Sequence, residues 1–130
     1  VVKEEYGDHT YLLQKVSARM ERNEYPIFVT AGDGLQKLKH ITHNQYLTYC
    51  YDSLCRITGS LVTFGFGFGR YDAHIIEAIN RAARQPISSR LRSVYIGVFS
   101  DADKQHIEQI ASQFRCKMHI FDAKTAGVWG

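Results

Sequence analysis

The stretch 61–79, LVTFGFGFGRYDAHIIEAI, constrains the fold more than any other part of the chain. Four residues suited to a strand, Leu61 to Phe64, run into glycines at alternate positions, Gly65, Gly67 and Gly69, and a helical pattern then begins near Asp72. A buried parallel strand passes into a helix in this way, through a turn cleared of side chains. In open α/β sheets ligands lie beyond the carboxyl ends of the strands, so this turn is the first place to expect one.

The rest of the chain repeats the alternation. Tyr11, Leu12, Val16, Arg19 and Met20 suit a helix starting near His9, with Asp8 as a cap, and Pro26 closes it off. Residues 27–30, IFVT, read as a strand, and Ala31-Gly32-Asp33-Gly34 as the turn at its carboxyl end. Leu35, Leu38 and Ile41 then follow at helical spacing. Thr42 to Gln45 reads as a capping box restarting a helix that carries Leu47, Cys50, Tyr51 and Leu54, with Gly59 as its C′ residue. After the central strand, Ile75, Ile76, Ile79, Ala82 and Ala83 make one broad apolar face that should lie on the sheet. Residues 85–93 read as a polar loop and 94–99, VYIGVF, as a strand. Ser100 or Asp101 caps a helix bearing Ile107, Ile110, Ala111 and Phe114; 116–121, CKMHIF, is the last strand, and 122–130 trails away. This order predicts a three-layer α/β/α, Rossmann-like domain: at least four parallel strands, helices on the sheet faces, and an extra N-terminal helix.

Composition narrows the classes. The 130 residues suit one domain with its own core. A net charge of +3 without any long Lys/Arg block reads as a solvated surface rather than a nucleic-acid footprint. A nucleic-acid role would fall to Arg81, Arg84, Arg90 and Arg92. Three cysteines without zinc-like spacing point to a reducing, cytoplasmic setting, and no stretch reaches the roughly 20 apolar residues of a membrane span. The chain does not open on methionine, which suggests a piece of a longer protein.

Few residues invite chemistry. The glycine turn misses GxGxxG, because the third required position falls on Arg70, or on Asp72 if counted from Gly67. Its glycines either allow close packing or let a ligand approach bare main chain. Asp72, on the first turn of its helix, disfavours a bare phosphate unless Arg70 offsets it, and favours ribose hydroxyls; it could equally be a plain cap. His74 follows it closely and reads as a ligand contact or a helix-surface histidine. His40 and His43 lack a third ligand at metal spacing, and Cys50 and Cys55 read as core or near-core residues. Ser100, Asp101 and Asp103 make a cap or a second ribose contact.

Pro26-Ile-Phe-Val-Thr-Ala-Gly32, then Lys37-Leu38, Ile41, Asn44 and Tyr46-Leu47, then 61–69 with Asp72 and His74-Ile75-Ile76, resembles the carboxy-terminal half of a bacterial domain-of-unknown-function family related to sirtuin-like proteins. The resemblance covers about residues 6–83. It implies a Rossmann-like, NAD-binding fold whose defence-associated relatives cleave NAD at the nicotinamide bond. By the same resemblance Gly65, Phe66 and Gly67 match the turn that contacts the ribose of NAD; Asp72 and His74 match the family's aspartate and histidine; Gly32 matches the glycine after the earlier strand. Gly67 stands where the family often has serine, and Ala31 where it often has glutamate. The glycine-rich NAD loop and the catalytic asparagine and histidine of sirtuin-like enzymes lie in an amino-terminal half that these residues do not match.

The expectation is therefore the distal half of an NAD or ADP-ribose site, with Gly32, Asp33, Gly65, Phe66, Gly67, Gly69, Asp72 and His74 around the ligand and no resident metal. This chain by itself should not turn over substrate. The alternative is a non-catalytic nucleotide-sensing module, or one that forms homo-oligomers, in which the glycines serve packing alone.

Overall fold

The computed structural model describes residues 12–24, 29 and 32–127. Among them run five α-helices and three strands: α1 (Leu12–Glu21), α2 (Gly34–Thr42), α3 (Gln45–Leu54), β1 (Gly59–Thr63), α4 (Ala73–Ala83), β2 (Leu91–Val98), α5 (Asp101–Ile110) and β3 (Lys117–Asp122). The strands form one parallel sheet in the order β1-β2-β3, so the fold is α/β.

Alternation along β2 decides which face is covered. Val94 and Ile96 are fully buried and Val98 nearly so, and they form one core with Ile76 and Ile79 of α4 and Ile107 of α5. Each such side chain contributes about 1.5–3 kcal/mol on burial. Tyr95 points the other way; its register partners are Val62 on β1 and His119 on β3, and Val62 is 63% exposed. Tyr95 and His119 stack with ring centres 4.6 Å apart. Both crossovers advance in the same direction across the sheet, so α4 and α5 share one face, as right-handed connections require. A second cluster, Ile41 of α2 with Tyr51 and Cys55 at the end of α3, closes on Ala78 of α4.

Several expectations shift. The strand expected at 27–30 lies outside the described residues apart from Val29, which belongs to no regular element. Among the described residues the sheet has three strands, with α4 and α5 packed on one face, where at least four strands in three layers were expected. The cap of α3 is Asn44, not Thr42: Asn44 Oδ1 accepts from the Tyr46 and Leu47 amides, while the Thr42 hydroxyl turns back to Lys39 O. Gly59 is not a helix C′ residue, since α3 ends at Leu54 and Gly59, at φ +76°, opens β1 at a register shift. The expected loop 85–93 is too long. Leu91, Arg92 and Ser93 belong to β2, where the Ser93 hydroxyl is buried against that of Ser60, 2.9 Å away. Polar composition concealed a strand end whose polar group has found a partner. Cys50 is exposed rather than near the core, and the cap expected at Asp8 lies outside the described residues.

Candidate functional site

Beyond Thr63 the chain enters the glycine turn, and two residues there hold left-handed backbone. Gly65 does so at φ +66°, as glycine readily can. Phe68 does so at φ +48°, which a phenylalanine tolerates only when its surroundings hold it. They do: its ring is 1% exposed, meets Phe66 and Phe114 edge to face at 4.8 and 5.4 Å, and its carbonyl accepts from His106 Nε2 at 3.0 Å. The turn is pinned to α5 from below.

Above it is a hollow of about 490 Å³ at the carboxyl ends of all three strands. Gly65 and Gly67 form one wall; Gly97 and Phe99, with Val98 between them, form another, and Ala123 closes it after β3. A Cβ at Gly65 or Gly67 would meet nothing within 4 Å, so these glycines leave space that neighbouring side chains do not fill. Gly97 differs. A Cβ there would stand 2.9 Å from the Phe121 ring and 3.2 Å from the Thr63 carbonyl, so its small size is needed for packing.

The hollow's lining is apolar except for its main chain and one ionisable side chain, Asp103. Asp103 Oδ2 accepts from the Phe99 and Ser100 amides at 3.3 and 3.0 Å and from the Ser100 hydroxyl at 2.9 Å. The Ser100 hydroxyl oxygen in turn accepts from the Asp103 amide, making a capping box that starts α5. The Ser100 hydrogen bond above all, helped by the two backbone amides and nearby His106, holds the carboxyl below its usual value, so Asp103 is anionic at neutral pH.

The other expected site residues gather elsewhere. Asp72 occupies the N-cap position of α4 without making a capping bond; its carboxylate instead meets Lys37 Nζ of α2 at 2.8 Å, both side chains being partly buried. Gly34 explains the approach, since a Cβ there would lie 3.4 Å from Ala73 and from the His74 amide. His74 is buried, not a surface residue; its carbonyl accepts from the Tyr51 hydroxyl at 3.1 Å, and its Nδ1 has no partner. Asp33 caps α2, accepting from the Gln36 amide while Gln36 Oε1 accepts from Asp33, and Gly32 lies against that same glutamine. Gly69 sits beside Asp72, and Arg70 lies over the Tyr71 ring rather than in the hollow. The eight expected residues thus divide: Gly65, Phe66 and Gly67 line the hollow, while Gly32, Asp33, Gly69, Asp72 and His74 cluster where α2 meets α4.

One comparison with known proteins identifies a relative. A family described as a domain of unknown function, DUF4917, matches residues 3–129. The chain belongs to the DUF4917 family. No curated protein and no solved structure matches it. The DUF4917 match takes in the glycine turn and also the far wall of the hollow. On that wall Phe99, Ile107 and Ala123 are residues that sequence reading left out of the ligand site, while Asp103 stands where a cap or second ribose contact was expected. Phe99, Asp103 and Ile107 all come from the β2–α5 segment, whose parallel pairing with β1 was legible but whose distance from the glycine turn was not. Ala123 follows β3 in a short 3-10 turn capped by Asp122, where no regular structure was expected.

Proposed function

We propose that this chain contributes the distal part of an NAD or ADP-ribose site, and that the ligand lies in the hollow over Gly65 and Gly67. The supporting observation is the position and make-up of that hollow: open main chain and apolar rings at the carboxyl ends of parallel strands, where α/β proteins bind nucleotides. Its volume falls within the roughly 300–1,000 Å³ of small-molecule pockets. A flat ring would lie between Phe66 and Phe99. Asp103 would accept ribose hydroxyls, and its full negative charge at the start of α5 argues against a phosphate there. In this reading the fold is Rossmann-like, with at least four parallel strands, and the Lys37–Asp72 pair with His74 shapes the neighbouring rim.

With a single ionisable side chain in the lining, we infer binding rather than turnover for these residues. The resemblance to sirtuin-like proteins makes NAD hydrolysis the reaction to look for in any longer protein that carries them.

Gly67→Leu tests this most directly, because position 67 has ordinary backbone and free space around it. Calorimetry with NAD and with ADP-ribose should show at least about tenfold weaker binding for the variant, a loss of about 1.4 kcal/mol, with unchanged thermal stability. Equal affinity would remove the hollow from the site. In the same titration Asp72→Ala separates the two clusters: a weakened ligand brings the α2–α4 rim into the site, and an unchanged one confines Asp72 to joining helices.

A further inference from the structure

The opposite end of the sheet has a different chemistry. We propose that the amino-terminal ends of β2 and β3 form a surface that grips the phosphate backbone of duplex nucleic acid without reading its sequence, through Arg90, Arg92, Arg115 and Lys117. These four line one groove of about 350 Å³, and none of its lining residues is acidic. Two short stretches far apart in sequence supply them. The pairing of Ser93 with Lys117 sets those stretches side by side.

Three observations argue for a ligand here rather than a merely solvated edge. All four side chains are exposed, and among the described residues none of them takes part in an ion pair. Arg81 and Arg84, the other arginines that the sequence put forward for this role, are both engaged by Glu77. Cys116, within the groove, has its thiol pushed up by burial and so contributes no negative charge.

Spacing adds to this. Arg92 and Lys117 stand on neighbouring strands about 4.8 Å apart, and Arg90 and Arg115 lie in the bends that lead into those strands. The charged stems therefore rise from an area about one Debye length across and act as a single field. A lone phosphate in so open a groove would gain little, because water screens each pair. A chain of phosphates gains by releasing several condensed counterions at once. The groove lacks an aromatic side chain, so it has nothing to stack unpaired bases on, which favours a duplex over a single strand. The surface lies about one β2 length, roughly 23 Å, from the hollow and rests on none of the argument for NAD.

Fluorescence anisotropy of the full chain with a labelled random-sequence duplex, between about 50 and 200 mM salt, tests the proposal. Neutralising four phosphates gives a slope of log K against log salt of about −3.6. Arg92→Ala with Arg115→Ala should make that slope shallower by about 2 and weaken low-salt binding at least about tenfold. The charge-keeping Arg92→Lys with Arg115→Lys should hold the slope, and so should Arg81→Ala with Arg84→Ala. Circular dichroism of each variant confirms that the fold is kept. Three results overturn the proposal: no duplex bound at the lower salt, an unchanged slope in the double alanine variant, or tighter binding of poly-glutamate or inorganic polyphosphate than of duplex.

Discussion

Gly97 and His74 show how far single residues can be understood from their neighbours. Gly97 lies where Phe121 and the Thr63 carbonyl converge, so Gly97→Ala forces a ring and a strand apart. Overpacking of this kind costs about 1–3 kcal/mol. Urea unfolding should show that loss, and Phe121→Leu in the same chain should recover part of it; a fully additive double variant would mean that the Phe121 ring is not what the new methyl meets. His74 makes its prediction through pH. Burial, then the Lys37 ammonium, hold its imidazole below its ordinary value of 6.5 while Asp72 pulls the other way. Below about pH 6.5 the unfolded chain takes up a proton that the folded chain still refuses, so stability falls as pH drops toward the folded-state value. The urea midpoint should decline between pH 7 and 5.5 more steeply in the wild type than in His74→Gln, and parallel declines would assign the effect to other groups. Neither role was legible beforehand. A glycine in VYIGVF reads as a weak strand residue until its cross-strand neighbour is known, and a histidine in the first turn of a helix reads as surface until it is found buried, its carbonyl bonded to the Tyr51 hydroxyl.

Elements were easier to read than their joints. Apolar periodicity placed α4, α5 and the hydrophobic heart of β1, β2 and β3 correctly, because those patterns record which side faces the core. Ends were misread wherever a polar residue had a partner from another part of the chain, as Ser93 has in Ser60. Asn80 is the plainest case. It sits buried on α4, donates from Nδ2 to the Gln113 carbonyl and accepts at Oδ1 from the Arg115 amide, both at 2.8 Å, so one side chain satisfies both main-chain groups of the link between α5 and β3. Asn80→Leu should cost about 2–3 kcal/mol in urea, the penalty for stranding buried polar groups. Asn80→Asp, which keeps only the acceptor, should fall between that variant and the wild type. Nothing in the sequence marks this asparagine, since its partners lie more than thirty positions away.

At the scale of the whole molecule, the candidate site was half legible: the glycine turn announced one wall, and the sheet supplied the others from segments whose one signature was the helix cap at Ser100 and Asp103. Parallel sheets are usually covered on both faces; here α4 and α5 lie on one face and the Val62–Tyr95–His119 row occupies the other. The two ends of the strands are also unlike, apolar and glycine-lined at one and cationic at the other. Strand order has a consequence for how the protein is made. Because β1, β2 and β3 stand side by side in the order in which they are synthesised, every pairing among the described strands joins a strand to the one translated just before it. Each new strand closes a modest loop onto a surface already assembled, so the nascent chain can build its sheet progressively and need not hold an early edge open for a late arrival.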